Sequence, residues 1–167
     1  MDRLFPRSAH LWPDRRNGIL TADDYFAIQR LINIYFVHVD GADFDAAGSL
    51  FDRADMIYTA TGRHIHQDGA AVAALMRSFV KLHGPDERPL TRHHSGNLTI
   101  EPDGDARASA RCSAIIFQAA PGFPLQPIAE ASYCDRFAKD GDAWHFTRRE
   151  MEMTLTGDLS QHLLREA

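Results

Sequence analysis

Apolar residues recur at three- and four-residue steps through Ile28, Leu31, Ile32, Tyr35, Phe36 and Val39, the period of a helix that buries one face. Thr21, Asp23 and Asp24 supply capping oxygens just before this stripe, which predicts a first helix over 22–39. A short second helix is predicted from Asp43, with Ala46, Ala47, Leu50 and Phe51 turned inward, before Met56 to Thr61 changes to strand-favouring residues. After Gly62 and a brief extended piece, Val72, Leu75, Met76, Phe79 and Val80 mark one face of a third helix that starts near Asp68 and ends at Gly84-Pro85. From Thr91 onward the chain reads as extended segments. Asp103-Gly104-Asp105, Pro121 to Pro127 and Asp140-Gly141-Asp142 read as hairpin connections between four consecutive antiparallel strands. A last short helix is predicted from Asp158, whose carboxylate suits an N-cap.

Helices segregated before an antiparallel meander give an α+β fold, with a curved sheet wrapping the long first helix. The strand from Ala106 places Ala106, Ala108, Ala110, Cys112 and Ala114 in one row, too small to fill the space above it. Bulk from a helix or a ligand must enter there, and close helix packing is the preferred reading. No linker divides the interior, so residues 21–167 read as a single domain. Residues 1–20 read as an arm, because Arg3, Arg7, Arg15 and Arg16 alternate with Leu4, Phe5, Leu11 and Trp12 without a period.

With 167 residues and 44% hydrophobic content the chain has material for one core. A formal charge of −5 argues against nucleic-acid binding, and no apolar run is long enough to span a bilayer or serve as a secretory signal, so a cytoplasmic protein is expected. Cys112 and Cys134 lack CxxC spacing and are read as reduced thiols.

Nine histidines bring imidazole chemistry into question. Asp40 precedes Gly41 at the end of the first helix, where the helix dipole disfavours a carboxylate, so something other than helix stability must favour it there. His93 lies in a later strand, in Leu90-Thr91-Arg92-His93-His94-Ser95-Gly96-Asn97-Leu98. If both reach one enclosed space, Asp40 can fix the tautomer of His93 and stabilise its protonated form, leaving the other ring nitrogen to move a proton. Alternation sets Thr91, His93, Ser95, Asn97 and Thr99 in one row, either solvent-facing or lining a pocket, with Gly96 a place for a phase-changing bulge. His64 and His66 share a strand face as metal ligands do, but no neighbouring Cys or carboxylate in the sequence completes a set, so no metal is expected. His38 is read as structural.

Several segments together carry a family resemblance: Tyr35 through Asp40, Asp43-Phe44-Asp45, Leu50-Phe51, Thr91 through Leu98, Tyr133-Cys134-Asp135-Arg136-Phe137, and Asp140-Gly141 with Trp144-His145-Phe146. In order and spacing they resemble the SnoaL-like branch of the nuclear transport factor 2-like superfamily over residues 21–165. That branch includes scytalone dehydratase, hexachlorocyclohexane dehydrochlorinase and bile-acid dehydratase relatives. The resemblance implies a cone-shaped cystatin-like fold and a catalytic pair at Asp40 and His93. It adds Tyr35 as a polar residue on the same helix, although Tyr35 and Asp40 point about 140° apart on an ideal helix. It also suggests Arg148 as an assisting arginine, on a strand row with Trp144 and Phe146. The second histidine of scytalone dehydratase-like sites meets Ile115, Ile116 or Phe117 here, and their asparagine meets Ala131, Ser132 or Tyr133, so that particular substrate is not implied.

The expected function is that of a cofactor-independent lyase or isomerase, dehydratase-like, acting on a small apolar cyclic or aromatic molecule. A variant makes Asp40 itself the base, with a carboxyl pKa raised by burial. The alternative is a non-catalytic small-molecule-binding or partner-subunit domain, in which Phe117, Phe123, Phe137 and Trp144 fill the centre. A homo-oligomer, dimer or trimer, suits either.

Overall fold

A computed structural model describes residues 18–164, so most of the expected arm lies outside the described residues. The first helix, α1 (Ala22–Asp40), starts where the sequence predicts. The Thr21 side chain accepts from the Asp24 backbone N–H at 3.2 Å, and the Asp24 carboxylate accepts from the Thr21 N–H at 3.0 Å, forming a capping box. Asp24 also accepts from Lys139 Nζ at 2.7 Å and Trp144 Nε1 at 2.8 Å, which ties the helix start to the last hairpin. Those bonds, with Thr21, hold the Asp24 carboxyl well below the usual carboxylate range.

Two further helices follow, α2 (Phe44–Ser49) and α3 (Gly69–Phe79), each capped by an aspartate, Asp43 and Asp68. They approach through glycine: a Cβ on Gly48 would lie 2.3 Å from the Gly69 carbonyl oxygen. Between them lies a hairpin of β1 (Asp55–Tyr58) and β2 (Arg63–His66). The meander is β3 (Thr91–Pro102), β4 (Arg107–Ala120), β5 (Phe123–Asp140) and β6 (Ala143–Thr156). The six strands form one curved, open sheet in the order β2-β1-β6-β5-β4-β3, antiparallel except where β1 joins β6 in parallel.

The core lies between α1 and the concave face. Ile28 and Ile32 of α1 are fully buried, as are Phe51 and Met56; burial of each such side chain contributes about 1.5–3 kcal/mol. Ala108, Ala110, Cys112 and Ala114 form the small inner row as predicted, whereas Ala106 is exposed in the preceding turn. The bulk above this row comes partly from α1, through Tyr35 and Phe36. The sheet supplies the rest, because Tyr133 and Asp135 sit opposite Cys112 and Ala110 in the ladder.

Three boundaries differ from expectation. Helix α3 stops at Phe79, short of Gly84-Pro85, because Val80 is extended and bridges Leu163. No helix follows Asp158 among the described residues. Its carboxylate accepts from the Ser160 N–H at 2.9 Å, but His162 O and the Leu164 N–H are engaged with Lys81 and Phe79, so the backbone groups a helix needs serve the end of α3. The β4–β5 turn is only Pro121-Gly122, with strand resuming at Phe123 and the register irregular opposite Pro127.

Candidate active site

Asp40 is the last residue of α1, and its carboxylate is aimed at β3. Oδ1 accepts from the Thr91 hydroxyl at 2.7 Å and contacts His93 Nδ1 at 2.7 Å, while Oδ2 accepts from the His93 backbone N–H at 2.8 Å. These donors offset the unfavourable end of the helix dipole and explain an acidic residue at that position. Burial pushes the Asp40 carboxyl pKa upward, but the His93 hydrogen bonds and charge, with the Thr91 hydroxyl, outweigh it and leave the group below its ordinary value. Asp40 is therefore a carboxylate at neutral pH, which suits a partner of His93. The variant with Asp40 as a base of raised pKa does not fit this environment.

The imidazole of His93 lies between Asp40 and Phe36, whose ring stacks on it with centroids 5.1 Å apart and planes 15° apart. Only 6% of the His93 side chain is exposed. With Nδ1 facing the carboxylate, Nε2 is the ring nitrogen left for proton transfer, and among the described residues it has no hydrogen-bond partner. The row containing Thr91 and His93 faces inward. The register then shifts between Gly96 and Thr99, with Asn97 at φ 53°, so that Leu98 and Ile100 take over the inner row. His94 points the other way, against Phe117.

Tyr35 does not reach this pair. Its ring packs edge-on to Phe36 and Phe51 and covers the guanidinium of Arg149, 4.5 Å from the ring centroid. Burial raises its phenol pKa, so it stays protonated. Arg148 is not in the core row either. Phe137 pairs with Phe146 and Arg136 with Arg148, so Thr147 is an extra residue that turns the row over. Arg148 consequently lies half-exposed and bonded to Glu150 at 2.7 Å, and Arg149 takes the inward position.

Arg149 is fully buried and donates through Nε and one terminal nitrogen to both oxygens of Asp135, at 2.8 and 2.7 Å. Tyr35, Tyr133 and Phe146 surround it with ring centroids 4.5 to 4.9 Å from the guanidinium carbon, and its other terminal nitrogen has no partner among the described residues. This pair was not anticipated, although an aspartate in the apolar row Ala131, Tyr133, Asp135, Phe137 was a visible signal. His162 was also missed. It is 7% exposed, and burial followed by the nearby His93 charge pushes its pKa down to about 4.

An open cleft of about 460 Å³ borders Asp40, lined by Val37, Asp40, Gly41, Arg88, Leu90 and Arg92. Arg88 donates to the Gly41 carbonyl oxygen, and Arg92 to that of Thr91 at 2.6 Å. The four aromatic residues expected to block the centre do not close this route. Phe117 meets His94, Phe123 joins a separate cluster with Ile116 and Ile128, Phe137 packs on Phe146, and Trp144 binds Asp24. His38 pairs with Asp43 at 3.5 Å, as a structural residue would. Among the described residues no helix is long and apolar enough to cross a membrane.

Residues 21–150 match the family of SnoaL-like domains. Among solved structures, a nuclear transport factor 2-like protein with a cystatin-like fold from Novosphingobium aromaticivorans superposes with a TM-score of 0.63 at 24% identity, covering 83% of this chain and 86% of that one. A candidate scytalone dehydratase from the same organism gives 0.63 at 22% identity, covering 81% and 87%. Hexachlorocyclohexane dehydrochlorinase from Novosphingobium barchaimii gives 0.61 at 16% identity, covering 80% and 88%. No curated protein matches the sequence.

Proposed function

The chain belongs to the SnoaL-like domain family, and we propose that it is a cofactor-independent lyase or isomerase, dehydratase-like, acting on a small apolar cyclic or aromatic molecule. The observation that carries this reading is the buried Asp40–His93 pair, with its carboxylate bordered by a cleft. Similarity to a candidate scytalone dehydratase and a dehydrochlorinase, both elimination catalysts by name, supports the reaction class. His93 Nε2 takes a proton from carbon next to a carbonyl, and Asp40 stabilises the imidazolium. The imidazolium returns that proton to the departing hydroxyl, so water leaves as the carbon–carbon double bond forms. Tyr35 and Arg148 have no part in this scheme.

The proposal is tested by thermal-shift screening of cyclic and aromatic β-hydroxyketones against the purified protein. Compounds that raise Tm are then followed for loss of water by mass spectrometry. Turnover that falls about 10²–10⁴-fold in Asp40→Asn and His93→Ala supports the dyad; turnover unaffected by either substitution refutes it. One observation favours the non-catalytic reading: the rings around Arg149 already fill the centre behind Phe36. Compounds that raise Tm without conversion would establish that alternative. A homo-oligomer is also proposed, because Ile115, Leu125 and Leu155 are exposed on the sheet; light scattering measures its mass.

A further inference from the structure

On the far strands of the sheet, the β1–β2 hairpin places Asp55 directly opposite His66, with His64 two residues further along the same row. Met56 and Ile65 point inward and are buried, so Asp55, His64 and His66 all project from the outer face. Asp55 Oδ1 lies 2.7 Å from His66 Nδ1, and Oδ2 lies 3.1 Å from His64 Nε2. One ligand atom from each residue falls within 4.8 Å of the others. We infer that these three side chains form a binding site for a divalent transition ion of the zinc class, independent of the Asp40–His93 pair.

Donor chemistry selects the ion. Two imidazole nitrogens and one carboxylate oxygen suit Zn²⁺ and its neighbours, whereas Mg²⁺ and Ca²⁺ require mainly oxygen. Ligands about 2.0–2.2 Å from a tetrahedral ion lie about 3.3–3.6 Å apart, a little longer than the 2.7 and 3.1 Å carboxylate–imidazole contacts and inside the 4.8 Å spread of the three ligand atoms. The site therefore needs side-chain rotation rather than backbone movement. The Asp55 side chain is 21% exposed and held on the sheet, while His64 and His66 are 48% and 72% exposed. That leaves the fourth coordination position open to solvent. Arg148, the β6 neighbour of Asp55, would repel a cation, but it is bonded to Glu150. The sequence shows the two histidines but not the carboxylate, which arrives from nine residues before His64 by hairpin pairing. An ion here cross-links β1 to β2, the outermost strand of the sheet.

The test uses the full chain, stripped with chelator and titrated with ZnCl₂ by calorimetry. The expected result is one ion per chain at this site, with Tm rising about 5–10 °C at free zinc a hundredfold above Kd. MgCl₂ leaves Tm unchanged. Asp55→Asn, His64→Ala and His66→Ala each weaken zinc binding at least about tenfold, whereas His94→Ala, on the opposite edge strand, retains it. Both histidines are exposed, so circular dichroism is expected to show the same fold in their variants. The inference is overturned if the wild type takes up no more zinc than the folded His64→Ala/His66→Ala double variant, or if Tm does not respond.

Discussion

Removing Asp135 is the sharpest perturbation of this core. Arg149 has no exposed surface and Asp135 almost none, so Asp135→Ala leaves a guanidinium enclosed by Tyr35, Tyr133 and Phe146 without its counter-charge. Breaking one partner of a buried pair costs about 3–5 kcal/mol. For a chain of this length each kcal/mol corresponds to about 2–4 °C in Tm, giving a fall of about 6–20 °C. Replacing both partners by apolar side chains, Asp135→Leu with Arg149→Met, removes the uncompensated charge and is expected to return stability to within about 1 kcal/mol of the wild type. Urea titration followed by circular dichroism measures the wild type and both variants. If Asp135→Ala costs less than about 1 kcal/mol, or the double variant is as destabilised as Asp135→Ala, the buried ion pair does not have the role assigned to it. The consequence reaches the candidate site, because the cage around Arg149 includes Tyr35 and Tyr133, which pack edge-on against the Phe36 ring that stacks on His93.

Asp40→Asn is expected to cost about 1–3 kcal/mol at neutral pH through its bonds to Thr91 and His93. Because folding lowers the Asp40 pKa, its contribution is present above the ordinary carboxylate value and lost as pH falls through the folded value, so wild type and variant converge in acid urea titrations. For His162 the folded pKa of about 4 lies below the ordinary 6.5, so the unfolded chain binds the extra proton between these values. Stability is expected to fall by a few kcal/mol from pH 6.5 toward pH 4, with a slope that shrinks in His162→Gln; equal slopes refute the assignment. Gly48→Ala drives a methyl group into the Gly69 carbonyl and is expected to cost about 1–3 kcal/mol by thermal denaturation, whereas a cost near zero would show that α2 and α3 separate freely.

What could be read from the sequence depended on whether a residue's environment is set by its near neighbours. The start of α1 was legible because Thr21 and Asp24 satisfy each other within one turn, and the alternation of β4 was legible because Ala108 through Ala114 keeps one phase. Asp40 is legible as unusual because its carboxylate opposes the helix dipole, whereas the partner His93 comes from the family resemblance, and that its row faces inward is shown only by the structure. Simple alternation points to Arg148, one residue from the inward arginine, because the bulge at Thr147 changes the phase and nothing near Thr147 in the sequence announces it. The same limit hid the parallel joining of β1 to β6 and the meeting of Asp55 with His64 and His66, both fixed by strand pairing between distant or hairpin-linked segments. The cost of the misplacement is specific. A one-residue slip in a strand exchanges a half-exposed arginine bonded to Glu150 for one with no exposed surface, and so exchanges a candidate for assisting chemistry for the central ion pair of the fold.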